Sequence, residues 1–223
     1  MKFIDENLLQ HLQRPEFKQL CSVLATRRYP KNSFVCQADS SENMIFIVKK
    51  GRVRVYLGFE EKEFNLAILG KGDIYSTHTG TFVQAIDNTE LLVADVQTFR
   101  QQMIDDQDVA KAMIRVLGKM LKSSFAIIDG LVFKDAGCRL IGLLATEARR
   151  HGREQGEGKG IVVDIDLTVE QIAQLVGASR QTVSTLLNKL IRSGLLIRLS
   201  RGTYLVPNIG VLETMYRNGD CLQ

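Results

Sequence analysis

The hydrophobic period of this chain changes near its middle. Between Tyr29 and Asp95 the apolar residues come in short β-prone runs, over 33–36, 44–48, 53–57, 64–69, 81–85 and 91–94, punctuated by Gly51, Gly58, Gly70, Gly72 and charged residues. Many short strands at this spacing predict a double-sheet β jelly roll. From about Phe99 the period becomes helical, and Ala110, Ile114, Leu117, Leu121, Ser124, Ile128 and Leu131 repeat at alternating four- and three-residue steps. That is the seam of a two-stranded coiled coil and predicts a dimerisation helix, although one amphipathic helix lying on its own β domain needs an apolar face too. Phe133, Lys134 and Asp135 then form a hinge, with Asp135 placed to cap a helix over 136–150, and the glycine-rich stretch 151–160 reads as a surface loop.

The last third carries the most specific pattern. In TVEQIAQLVGASRQTVSTLLNKL, residues 168–190, Ile172, Leu175 and Val176 give one short helix its apolar face, and Val183, Leu186, Leu187 and Leu190 give a second helix the i, i+3, i+4, i+7 stripe of a packed surface. Thr168 and Gln171 have capping-box spacing, Gly177 sits where the chain must turn sharply, and Ser179 can cap the second helix. The opposite face of that helix carries Arg180, Gln181, Ser184, Thr185 and Asn188, the hydrogen-bonding groups of a DNA-reading helix. Arg180, in its first turn, suits a bidentate contact to guanine O6 and N7, and Gln181 an adenine or a phosphate. Two short strands, 195–199 and 203–206, flank Ser200, Arg201 and Gly202, completing a winged helix whose tip carries Arg201 toward the DNA backbone. The DNA-contacting set predicted is therefore Ser179, Arg180, Gln181, Ser184, Thr185, Asn188 and Arg201. An exposed arginine and serine face on an ordinary surface helix is the plain alternative.

Composition sharpens this picture in three places. Although the net charge of the 223-residue chain is only +4, from Arg180 to Tyr204 the charged residues are Arg180, Lys189, Arg192, Arg198 and Arg201, with no carboxylate among them. Such a cationic lobe is a phosphate-facing surface. With no apolar run of membrane-spanning length, and with Asp5 and Glu6 where a signal peptide would be apolar, the expected location is cytoplasmic, with no membrane partner. Cys21, Cys36, Cys138 and Cys221 are scattered without metal-site spacing, which predicts reduced structural thiols. The α+β organisation expected is a β-roll effector domain over 1–98, a dimerisation helix and hinge over 99–134, and a winged helix-turn-helix domain over 135–223.

A β roll, a long dimer helix, a short hinge and a winged helix carrying SRQTVS together resemble the regulators typified by the cyclic-AMP receptor protein, over essentially the whole chain. The resemblance implies an effector-controlled homodimer that binds palindromic double-stranded DNA, its two reading helices one turn apart, roughly 34 Å, with RNA polymerase as its protein partner. Cyclic-nucleotide members hold the phosphate with an arginine in the loop after a glycine. The matching stretch here, GDIYSTHTGTFVQA over 72–85, has none, which argues against cyclic AMP. The iron-sulfur branch needs several N-terminal cysteines, and before Met44 this chain has Cys21 and Cys36 alone.

GRVRVYL at 51–57, GDIYSTHTG at 72–80, VLGKML at 116–121 and SRQTVSTLLN at 179–188 are similar, in order, to the carbon-monoxide-sensing haem regulators of that family. By itself His78 reads as a hydrogen-bonded loop histidine. The resemblance makes it an axial ligand of haem b iron, a role that neutral imidazole suits. It implies as second ferrous ligand the N-terminal amine of the partner subunit, here that of Met1, which carbon monoxide would displace; Lys2, too bulky for ready removal of Met1, departs from the pattern in which an early proline forms the N-terminus. It places Ile114, Leu117, Gly118 and Leu121 around the carbon monoxide pocket on the dimer helix, and reads the protein as a transcription activator and not an enzyme. Ser76 stands where some relatives have a cysteine that ligates ferric haem, and a hydroxyl is a poor substitute for thiolate. The competing reading keeps the fold and changes the effector, to an organic small molecule or nitric oxide. A cupin-like metal enzyme needs converging ligands, whereas His11, His78 and His151 fall in different predicted regions.

Overall fold

The computed structural model describes residues 22–40, 43–105, 107–156, 159–219 and 221. Met1, His11 and Cys21 lie outside them, as does the side chain of Ala110. The chain divides into two compact units, Met1–Phe125 and Ala126–Gln223, and each is described by itself.

The first unit is a jelly roll of two four-stranded antiparallel sheets. One has the order β1-β8-β3-β6, made of Ala25–Tyr29, Thr89–Asp95, Met44–Lys50 and Ile74–Ser76. The other has the order β2-β7-β4-β5, made of Phe34–Cys36, Phe82–Ala85, Val53–Phe59 and Lys62–Leu69. Alternation along β4 buries Val53 and Val55 against Phe46, Val48, Ala67, Leu69, Val83 and Leu91, which form the core between the sheets. In β3 the whole run Met44–Val48 is buried, so both faces of that strand are covered. One cover is the helix α1, Val96–Asp105, whose Phe99 is fully buried. Sequence reading missed β1 and β6. The first, ATRRY, is mostly exposed and lacks a period-2 apolar pattern, and the second has only three residues.

The helix α2, Gln107–Phe133, crosses the division between the units and is followed by α3, Ala136–His151. The cap expected at Asp135 is present, its carboxylate accepting from the Cys138 amide at 2.7 Å. The rest of the second unit comprises β9 (Arg153–Glu154), β10 (Ile161–Asp164), α4 (Val169–Val176), α5 (Arg180–Arg192), β11 (Ile197–Ser200), β12 (Thr203–Val206) and α6 (Ile209–Asn218). Its sheet has the order β11-β12-β10-β9. The expected loop over 151–160 is therefore partly a strand, because Arg153 and Glu154 pair with Val162 and Ile161. The wing strand expected at 195 starts at Ile197, because Leu196 is drawn fully into the core with Leu140, Ile141, Leu144, Val163, Val183, Leu190 and Leu212.

The expectation of scattered reduced thiols fails at one pair. Packing of α3 against α6 brings Cys138 and Cys221, 83 residues apart in sequence, to a Cα separation of 4.9 Å, and they form a disulfide. Separation in sequence concealed a proximity that only tertiary packing creates. Cys36 is buried in β2 and lies outside this disulfide, its thiol donating to the Gln37 carbonyl at 3.1 Å. A cross-link closing so long a loop is worth roughly 2–4 kcal/mol. Protein unfolded in urea without reductant should thus be more stable than the reduced protein by about that amount, and Cys138→Ser should abolish the difference. Complete alkylation of both residues in unreduced native protein would contradict the pairing.

Candidate functional site

The segment 72–80 is built on backbone and hydroxyl anchors. Gly72, at φ 91°, allows the reversal by which its amide donates to the Val48 carbonyl at 2.8 Å while the Val48 amide donates to the Asp73 carbonyl at 2.9 Å. The buried Asp73 carboxylate accepts from the Gly70 amide at 2.8 Å, locking the turn before β6. Thr77, His78 and Thr79 then form one turn of 3-10 helix ending at Gly80, in left-handed backbone at φ 67°. Thr77 points inward: its hydroxyl accepts from the Met44 amide at 2.9 Å and donates to the Met44 carbonyl at 3.3 Å. Thr79 closes a ring of hydroxyls with Tyr75 at 2.8 Å and Thr81 at 3.1 Å, and Tyr75 and Thr81 lie 3.1 Å apart.

Between those two anchors His78 is exposed, and its Nδ1 is hydrogen-bonded to the Ser76 hydroxyl. Nε2 has no partner among the described residues. Imidazole engaged at one nitrogen and open at the other is the usual state of a metal-ligating histidine. No arginine lies within 72–85, but Arg54 reaches in from β4, its Nε donating to Gln84 at 2.9 Å. That guanidinium is also bonded to Glu63 and lies 4.0 Å over the ring of Tyr56, which stacks on Phe82 at 5.1 Å. Burial raises the Tyr56 phenol above its ordinary pKa, against the opposing effect of Arg54.

Along α2, Ile114, Leu117, Leu121 and Phe125 are 69%, 58%, 55% and 61% exposed, and Ile128, Leu131, Val132 and Phe133 continue the exposed apolar surface. Gly118 lies on this helix too, and a Cβ placed there would meet nothing within 4 Å. A helical glycine costs about 1 kcal/mol relative to alanine, and no contact among the described residues accounts for it.

In the second unit the expected helix-turn-helix is in place. The capping box of Thr168 and Gln171 is formed in both directions, Gly177 ends α4 at φ 61°, and Ser179 caps α5 by accepting from the Thr182 amide at 3.0 Å. Ser179 is thus occupied as a cap. Val183, Leu187 and Leu190 are buried, Leu186 partly so, while Arg180, Gln181, Ser184, Thr185 and Asn188 are exposed together, and Arg201 is exposed at the β11–β12 turn. Among the described residues no hydrogen bond or ion pair holds these six side chains.

Sequence reading missed Arg139. From α3 its Nε donates to the Val176 carbonyl at 2.5 Å, Nη2 to that of Gly177 at 3.2 Å, and Nη1 to that of Lys134 at 2.6 Å. It satisfies carbonyls left open at the end of α4 and ties them to Lys134, between α2 and α3. Lys134 is held as well, donating to the Tyr216 carbonyl at 2.9 Å with Nζ 4.1 Å over that ring. A lone arginine at the start of a helix carries no sequence signal for such a role.

Residues 26–106 match the cyclic nucleotide-binding domain and residues 138–215 the Crp-like helix-turn-helix domain. The solved structure of a CooA mutant from Carboxydothermus hydrogenoformans is 38% identical, covering 96% of this chain and 97% of its own, with a TM-score of 0.89. The reduced (Fe II) CO-sensing protein from Rhodospirillum rubrum is 37% identical, covering 94% and 98%, with a TM-score of 0.53. The CRP-like cAMP-activated global transcriptional regulator of Mycobacterium tuberculosis is 27% identical over 212 residues, 90% of this chain and 92% of that protein. With both halves matched and near full-length similarity at this level, the chain belongs to the Crp/FNR family of DNA-binding transcription regulators, joining a cyclic-nucleotide-binding-type β roll to a Crp-like helix-turn-helix domain.

Proposed function

We propose that this protein is a haem-dependent, carbon monoxide-sensing transcription activator of the cytoplasm that works as a homodimer on a palindromic DNA site. The observation that carries this reading is the placement of His78, fixed between the Thr77 and Thr79 anchors with Nδ1 occupied and Nε2 open. The donor chemistry suits haem b iron, and the exposed imidazole leaves room for a planar group beside it. Haem, if bound, would be held by His78 and, as the family resemblance implies, by the Met1 amine of the partner subunit, and would supply a ferrous iron able to take carbon monoxide. Similarity at 37–38% identity to a CooA structure and to a CO-sensing protein supports the same effector.

On the chain's side, Ile114, Leu117 and Leu121 offer apolar walls to a small neutral gas, and Gly118 leaves space for close approach. The same stripe is the surface by which α2 pairs with a second copy, so occupancy of the pocket and the packing of the seam are linked. Gas binding shifts the protein toward DNA-competent dimers only by favouring that state over the other. The hinge residues Phe133, Lys134 and Asp135 pass the change to α3. Arg180 reads bases, Gln181, Ser184, Thr185 and Asn188 extend the reading face, Ser179 orients the helix it caps, and Arg201 contacts the phosphate backbone. RNA polymerase is the protein partner proposed. Activation by cyclic AMP, which the name of the Mycobacterium tuberculosis relative states, is disfavoured because the stretch 72–85 holds no arginine and Arg54, which reaches Gln84 from β4, is also bonded to Glu63.

His78→Ala should abolish stoichiometric haem binding and carbon monoxide-dependent operator binding while leaving the fold intact by circular dichroism. Retention of both would refute the ligand assignment. Arg180→Ala should cost roughly 1–3 kcal/mol on the operator and relax base preference, whereas Arg201→Ala should weaken specific and random DNA alike. Equal losses on both DNAs for Arg180→Ala, measured by fluorescence anisotropy at fixed salt, would remove its base-reading role.

A further inference from the structure

Ser76 ends β6 in extended backbone, φ −123° and ψ 136°, at the N-cap position of the 3-10 turn that carries His78. A serine there ordinarily turns its hydroxyl to a free backbone amide of the turn. Here it makes no such cap, and the hydroxyl goes to the imidazole of the same turn. Its main chain is fixed independently, since Ser76 is in register with Ile45 across β3 and β6 and the next residue, Thr77, is bonded to Met44. The partner of the imidazole is therefore held by the sheet, not by a loose loop side chain.

We infer that Ser76 is the positioning residue for His78: its hydroxyl accepts the Nδ1 proton, fixes the ring in the tautomer whose lone pair is on Nε2, and sets the direction in which that nitrogen is presented. The inference rests on the haem reading of His78. An imidazole can ligate iron through Nε2 only when the proton sits on Nδ1, and an acceptor at Nδ1 both selects that tautomer and makes Nε2 a better donor. Ser76 thus takes part in ligation without touching iron. A thiolate at this place would bond the metal, whereas a hydroxyl serves the neighbouring ligand.

The test compares wild type, Ser76→Ala and Ser76→Thr, each purified after haem-supplemented expression. The readouts are the iron–histidine stretching frequency by resonance Raman after photolysis of carbon monoxide, and the rate of haem transfer to apomyoglobin. Ser76→Ala should lower the stretching frequency and speed haem transfer about tenfold, the lower end of the effect of removing such a partner, while Ser76→Thr, which keeps the hydroxyl, restores both. If wild type carries haem through His78 and Ser76→Ala matches it in frequency and transfer rate, the positioning role is wrong and the haem reading stands. If wild type carries no haem, both fail. Loss of frequency and retention alike in Ser76→Thr and Ser76→Ala would make the effect one of local packing and would also overturn the role.

Discussion

The first unit depends on how a three-residue turn is fastened to a sheet. Thr77 is buried with its hydroxyl spent on both backbone groups of Met44, and Thr79 is tied to Tyr75 and Thr81. Three consecutive polar residues would otherwise be a solvated, mobile loop; anchoring two of them presents the third, His78, in one place. The cost of burying the Thr77 hydroxyl is offset because donor and acceptor are both satisfied. Everything proposed about an effector rests on that rigidity, since a ligand side chain held by packing and hydrogen bonds keeps its geometry when its surroundings change.

The second unit works by a different division of labour. Its apolar residues settle where the helices lie, and its polar residues settle what α5 can touch. Val183, Leu187 and Leu190 hold one side of α5 in the core, so the other side, with Arg180, Gln181, Ser184, Thr185 and Asn188, must face outward. Arg139 has the reverse role, a half-buried cation bonded to the carbonyls of Val176 and Gly177 at the end of α4 and of Lys134 between α2 and α3. Two arginines in one small domain thus do unrelated things, and the difference lies in what surrounds them.

The parts legible in the sequence were those encoded by local rules. The capping box at Thr168, the left-handed Gly177, the Ser179 cap and the Asp135 cap depend on residues within three or four positions of one another, so spacing revealed them. The stripe on α2 was legible as a period, and its exposure along the helix fits that reading. Long-range features were not legible. The Cys138–Cys221 pairing spans 83 residues, Arg139 meets Val176 from 37 away, and β1 finds its place only by pairing with β8. Nor could composition separate a ligand histidine from a loop histidine. Family resemblance singled out His78, and the hydrogen bond between its Nδ1 and the Ser76 hydroxyl is the local feature that sequence spacing did not reveal.

The central claim is that a gas bound at a haem held by His78 governs DNA binding by α5. It is tested most directly by recording the absorption spectrum of the reduced wild-type protein through a carbon monoxide titration while operator binding is followed in the same samples. The account predicts a six-coordinate haem whose spectrum and DNA affinity change together with a single midpoint. A colourless protein, or a haem spectrum that responds to carbon monoxide while DNA affinity stays constant, would contradict it.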